Sequence, residues 1–177
     1  MPAIDIDQLT PQTSTQGATT FPSFDTATGG QGQPMGNYVC AAMDHTYHVH
    51  AHLTLIVDGV QRAIPDNIGA VSQPAGFCHY QVHTHDSTGK IHVESPTPIQ
   101  ATLGDFFMIW GMPLSATNVA GFTQGPINIY VSDADGTVTQ YTGDPTKIEL
   151  TSHRQITIVM GSGQPISQLP NYTWSGN

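Results

Sequence analysis

Seven side chains able to ligate a metal recur on one parity in two short stretches of this 177-residue chain. The first stretch is Tyr47-His48-Val49-His50-Ala51-His52-Leu53-Thr54-Leu55. The second is His83-Thr84-His85-Asp86-Ser87-Thr88-Gly89-Lys90-Ile91-His92-Val93-Glu94. Successive side chains of an extended strand point to opposite faces. His48, His50 and His52 therefore share one face, while Val49, Ala51, Leu53, Leu55 and Val57 line the other. Such a strand reads as core wall on one side and metal site on the other.

The second stretch reads as a hairpin. A two-residue turn at Thr88-Gly89 pairs His85 with His92 and His83 with Glu94, with opposed Cβ atoms roughly 4.5–5.5 Å apart. A slip of one residue would put these partners on opposite faces. The alternation thus favours the two-residue turn, or a four-residue loop of the same parity, and Gly89 can supply a positive φ.

Histidines at i and i+2 stand about 6.5–7 Å apart along a strand, and three in a row span roughly 13 Å. The first stretch therefore implies one ion with a spare histidine, or two adjacent ions. Zinc takes four His, Cys or carboxylate ligands, and imidazole also suits copper, iron and nickel. Copper or zinc is the expected cofactor, held by ligands drawn from His48, His50, His52, His83, His85, His92 and Glu94. The competing reading is a polar outer face whose histidines meet only solvent. Met43, Met108 and Met112 would favour copper, but methionines read first as core packing. His45, His79 and His153 are expected to make ordinary surface or hydrogen-bonding contacts. Asp86 reads as a turn residue that could orient an imidazole from behind, and Asp44 and Asp105 as cap or surface residues.

Cys40 and Cys78 immediately precede the two histidine stretches, and a disulfide between them would anchor those strands side by side. The alternative is Cys78 as a thiolate copper ligand. One cysteine pair, little lysine and much Thr, Gln, Gly and Ser suggest an exported protein. The acidic start Met1-Pro2-Ala3-Ile4-Asp5 lacks an apolar stretch, so the expectation is a mature extracellular or periplasmic form, with a cytosolic protein as the alternative. A net charge of −9 argues against nucleic acid or an anionic membrane as partner. No apolar run approaches the roughly 18–20 residues of a membrane span.

Two regions are expected, an extended low-complexity arm over 1–36 and a His-rich β domain over 37–177. The arm is rich in Thr, Gln, Gly, Ser and Pro, and Ala3–Asp7 alternates like a short edge strand. It is expected to dock by strand addition on its own domain or on another subunit, the latter making a homo-oligomer. Its alternative is a tail lying over its own surface. Strands are expected over Tyr47–Val57 and Val60–Ile64 around Asp58-Gly59, over Phe77–His85 and Lys90–Ser95, over Pro126–Ser132 and Thr137–Tyr141 around Asp135-Gly136, and over Lys147–Leu150 and Arg154–Met160. One helix is expected at Leu103–Trp110, capped by Thr102 and Asp105 and ended by Gly111. The fold class is all-β, an antiparallel sandwich or barrel-like domain with one short helix.

Three blocks carry a resemblance: His-x-His-x-His-Leu at His48–Leu53, Ile-Pro-x-x-Ile-Gly at Ile64–Gly69, and the Cys78–Ser95 block ending His-Thr-His-Asp-x-x-Gly-x-Ile-His-Val-Glu-Ser. With Leu103-Gly104-Asp105-Phe106-Phe107 and Trp110-Gly111, this pattern resembles a group of uncharacterised exported bacterial proteins over roughly residues 45–160. His79 and Gln81 depart from the pattern. The resemblance implies a secreted domain and no particular chemistry. Tyr47-His48-Val49-His50 is also similar, over four residues, to the first copper ligands of copper–zinc superoxide dismutases, although the remaining spacing does not follow.

Three functions are compatible with these residues. The first is a non-catalytic secreted metal-binding protein. The second is a metalloenzyme with an open coordination position, redox with copper or hydrolytic with zinc. The third is a self-assembling surface or fibre subunit whose fold the metal reinforces. No nucleophile elbow, phosphate loop or helical His-Glu-x-x-His motif supports the enzyme.

Overall fold

Alternating apolar and polar positions organise the molecule around one long central strand. The computed structural model describes residues 3–9, 15–19, 21–22, 29–134, 136–162 and 166–176. In chain order its strands are β1 (Ile4–Asp5), β2 (Ala18–Thr19), β3 (Tyr47–Val57), β4 (Val60–Ala63), β5 (Ala70–Gln73), β6 (Gly76–His79), β7 (Val82–His83), β8 (Lys90–Ser95), β9 (Leu114–Ser115), β10 (Asn118–Val119), β11 (Ile127–Ser132), β12 (Val138–Tyr141), β13 (Gln155–Met160) and β14 (Tyr172–Thr173). Helix α1 (Leu103–Trp110) lies between β8 and β9. The fold is all-β with one short helix.

The largest sheet runs β12-β11-β13-β3-β4-β2, and β8 pairs with β3 on one edge and β7 on the other. Odd positions of β3 enter the main core: Ala51, Leu53 and Leu55 are buried with Ile91 and Val93 of β8, Val82 of β7, and Phe106, Phe107 and Trp110 of α1. Even positions of β3 face the other way, and Ile56 there joins a small second cluster with Val159 and Leu169. The sheet is not wholly antiparallel. β13 pairs parallel to β3, in register from Gln155↔His52 to Met160↔Val57. The long crossover between them, which includes α1, permits this.

Several local expectations hold. Asp58 and Gly59 adopt φ values of 48° and 78°, the left-handed pair that a two-residue hairpin turn requires between β3 and β4. Thr102 and Asp105 form a capping box at α1, and Gly111 ends it at φ 78°. The strands on either side of the Asp135-Gly136 turn pair as β11 and β12, with Asp135 itself outside the described residues.

Two strands differ from expectation. Lys147–Leu150 is not a strand. Asp144 caps a 3-10 turn at Pro145–Lys147 instead, and Glu149 makes an isolated bridge with Thr102. The run Phe77–His85 is broken between β6 and β7, where the Tyr80 side chain enters the core and its carbonyl accepts from the His83 ring instead of from a strand partner.

Within the described residues the N-terminal arm pairs with its own chain. β1 adds parallel to β14 and β2 adds parallel to β4. Ile6 is fully buried, Phe21 packs edge-on against Trp110, and the Trp110 indole N–H donates to Pro22 O.

Candidate metal centre

The three strands β3, β8 and β7 set the histidines in rows. His92 lies opposite His50 on β3 and opposite His83 on β7, and Glu94 lies opposite His48. One row therefore reads His50, His92, His83 straight across three strands. The β7–β8 register is slid by two residues from the Thr88-Gly89 turn expected from sequence, so the pairs His85–His92 and His83–Glu94 do not form. The cause is the 84–89 loop, which is held from outside the hairpin. Thr84 Oγ1 accepts from Ile68 N at 3.0 Å and donates to Pro65 O at 2.9 Å. A slide of two preserves parity, so the ligand face survives. Gly89 has φ 89°, and a Cβ there would collide with Leu53 O and crowd the His52 ring.

The donors converge. His92 Nδ1 lies 3.3 Å from His48 Nε2, 3.0 Å from His50 Nε2 and 3.3 Å from Glu94 Oε1. His83 Nε2 and His85 Nε2 are 3.1 Å apart. Glu94 Oε1 lies 3.0 Å from His48 Nε2, and Oε2 lies 3.0 Å from His45 Nδ1 and 3.9 Å from His83 Nε2. Three groups among the described residues have donor atoms mutually within 4.8 Å: His83, His85, His92 and Glu94; His48, His50 and His92; and His45, His48 and Glu94.

Hydrogen bonding alone does not satisfy this arrangement. An imidazole nitrogen carries one lone pair or one proton, yet His92 Nδ1 faces three donors or acceptors at contact distance. Glu94 is 4% exposed, and its Oε2, although 3.0 Å from His45 Nδ1, accepts no well-formed hydrogen bond. Lys90 and Arg154 are paired elsewhere, with Asp7 and Asp133, so the ion-pair partners of Glu94 among the described residues are imidazoles alone. A buried carboxylate lacking a full positive charge is costly.

Electrostatics favour neutral rings. Burial lowers His83 to about 3, aided by the neighbouring His92 and His85. Burial also lowers His50 to about 4, with His48 the next contributor. His92 and His85 are likewise pushed below the ordinary imidazole range by burial. His83 is further prepared by its other nitrogen: Nδ1 donates to Tyr80 O at 2.8 Å, which leaves the Nε2 lone pair facing the cluster. Ligating histidines are commonly oriented in this way.

Of the seven residues singled out from sequence, six meet here: His48, His50, His83, His85, His92 and Glu94. His52 does not. Its Nε2 donates to Thr88 O at 2.8 Å, its ring lies 3.9 Å from that of Tyr172, and it is 1% exposed. His45, expected to make an ordinary surface or hydrogen-bonding contact, is brought to Glu94 and into the cluster. Thr46 N donates to Asp44 Oδ1 at 2.9 Å, an Asx turn just before β3 that breaks the strand parity. The His79 ring lies tilted beside those of His83 and His85, with centroids 5.3 and 5.8 Å away. Asp86 acts as a turn residue, accepting from Thr88 N at 2.9 Å.

A cleft of about 230 Å³ opens beside His83 and Glu94, lined also by Met43, Asp44, His79 and Gln81. Cys40 and Cys78 form a disulfide at its edge. Together these features define a β protein with a buried His/Glu cluster able to hold a metal ion. Comparison with protein-family models, curated proteins and solved structures finds no match.

Proposed function

We propose that this protein is an exported, non-catalytic binder of copper or zinc, with His48, His50, His83, His85, His92 and Glu94 as its ligands. The observation that carries this reading is the convergence of imidazoles on a buried, under-satisfied carboxylate. A divalent cation would supply the missing positive charge, and the rings of His50, His83, His85 and His92 would present lone pairs without first losing a proton. The disulfide supports an oxidising compartment. No helix among the described residues is long and apolar enough to cross a membrane.

The test is elemental analysis after equilibration with Cu(II) or Zn(II) and extensive dialysis. Retention near stoichiometric, lost on replacing His83, His85 and His92 together by Ala, supports the proposal. Metal-free wild-type protein after the same treatment would refute it.

One observation favours the metalloenzyme as a second reading, namely the cleft that reaches His83 and Glu94 from outside. An open coordination position facing that cleft would bind small anions. Spectral shifts of the Co(II)-substituted protein on adding azide distinguish it from a closed site, which gives none.

A further inference from the structure

We infer that the histidine face is built for two ions, one held by His48, His50 and His92 and the other by His83, His85 and Glu94, with the Glu94 carboxylate between them. This rests on the metal-binding reading above and specifies its capacity.

Donor count is the first argument. A tetrahedral ion takes four ligands, yet His45, His48, His50, His83, His85, His92 and Glu94 form one connected cluster of overlapping groups. A single ion on His83, His85, His92 and Glu94, the one group of four, would leave His45, His48 and the buried His50 idle.

The donors also sort by position, with His92 common to the group of four and to the group containing His48 and His50. With metal–nitrogen bonds of about 2.0–2.1 Å, neighbouring ligand atoms of a tetrahedral ion stand roughly 3.3 Å apart. His92 Nδ1 meets His48 and His50 at 3.3 and 3.0 Å. Across the sheet, His83 and His85 meet each other at 3.1 Å. Among the described residues, no group joins His50 to His83 or His85. His50 and His83 sit on strands separated by β8, at about twice the strand spacing of 4.7–4.9 Å, and His85 lies in the loop that follows β7.

Glu94 touches both sets. Its Oε1 is 3.0 Å from His48 Nε2 and its buried Oε2 is 3.9 Å from His83 Nε2. Oε1 also lies 3.3 Å from His92 Nδ1 and 4.0 Å from His85 Nε2, so the carboxylate stands between the two sets, where a negative charge offsets the repulsion of two cations. His45 Nδ1, 3.0 Å from Oε2, stands ready as a further donor at the same boundary.

The experiment is a Zn(II) titration of the full disulfide-bonded chain, read by native mass spectrometry. Wild type is expected to saturate at two zinc ions. The H48A/H50A and H83A/H85A proteins are each expected to keep one. His48 and His85 are about one-third exposed, so the single variants H48A and H85A preserve the fold if a double variant fails. Each should weaken one ion at least tenfold and leave the other. Glu94→Gln should weaken at least one ion tenfold. Saturation at one zinc, or loss of both ions from substitutions on one side, overturns the two-ion inference while leaving metal binding intact. No zinc on the wild type overturns the metal-binding reading itself.

Discussion

The indole of Trp174 lies parallel to the imidazole of His50, with ring centroids 6.3 Å apart and planes 5° from coplanar. It also stacks on His153 at 4.8 Å, so the C-terminal segment covers one flank of the histidine face. The chain has two tryptophans, and the other, Trp110, is buried in the apolar core. Cu(II) quenches nearby indole emission through its unfilled d shell. Copper bound at His48, His50 and His92 is therefore expected to quench the Trp174 component selectively. Replacing Trp174 by Phe should remove most of that quenching without changing the bound stoichiometry. Undiminished quenching in the variant would place the ion elsewhere.

Acid should destabilise the metal-free protein in a defined window. His50 and His52 titrate at about 4 and His83 at about 3 in the fold, chiefly through burial, against about 6.5 in the unfolded chain. Between these values the unfolded state binds protons that the folded state refuses, so stability rises with pH there. Stability is complete above pH 6.5 and lost progressively as pH falls toward 4. Urea unfolding midpoints at pH 7.5, 5.5 and 4.5 should decline in that order. Saturating Zn(II) should move the acid transition to lower pH, because protons and metal compete for the same lone pairs. A midpoint unchanged from pH 7.5 to 4.5 contradicts the assigned burial.

His52 separates structural from ligating histidine. It shares parity with His48 and His50, yet its ring is spent on Thr88 O and Tyr172. His52→Ala would leave that carbonyl without its donor and open a gap beneath β14. The expected cost is about 2–4 kcal/mol, with the number of bound ions unchanged. Chemical denaturation together with metal analysis reads both quantities, and a variant of wild-type stability that had lost an ion would reverse the assignment.

Parity was the legible part of this site. A period of two in Tyr47–Val57 and Lys90–Ser95 assigned His48, His50, His92 and Glu94 to one face, because apolar alternates had to enter a core. The capped helix at Leu103–Trp110 was legible for a similar reason, since its stop and start signals are local. The hairpin register was not, because Thr84 is tied to Ile68 and Pro65, a loop contact that no strand periodicity encodes. Nor was the parallel β3–β13 pair, whose partners are brought together only by the whole intervening fold. Parity could not assign His45 to the site, because its turn precedes the strand, where alternation no longer applies.

The Cys40–Cys78 disulfide closes a loop with a sequence separation of 38. Beside it, Ala41 and His79 exchange backbone hydrogen bonds of 3.0 and 2.8 Å, which lay the 41–45 segment along the site and bring His45 to Glu94. Replacing both cysteines by Ser removes the covalent restraint on the unfolded chain, about 4 kcal/mol in the chain-entropy model, or roughly 8–16 °C in Tm for a protein of this size. Ligands held by the β3–β8 ladder do not depend on the bridge, so His48, His50 and His92 should still bind copper. His45 and the rim of the cleft should loosen. Calorimetry and a parallel copper titration test the two halves separately. An unchanged Tm would mean that the strand pairing alone positions this face.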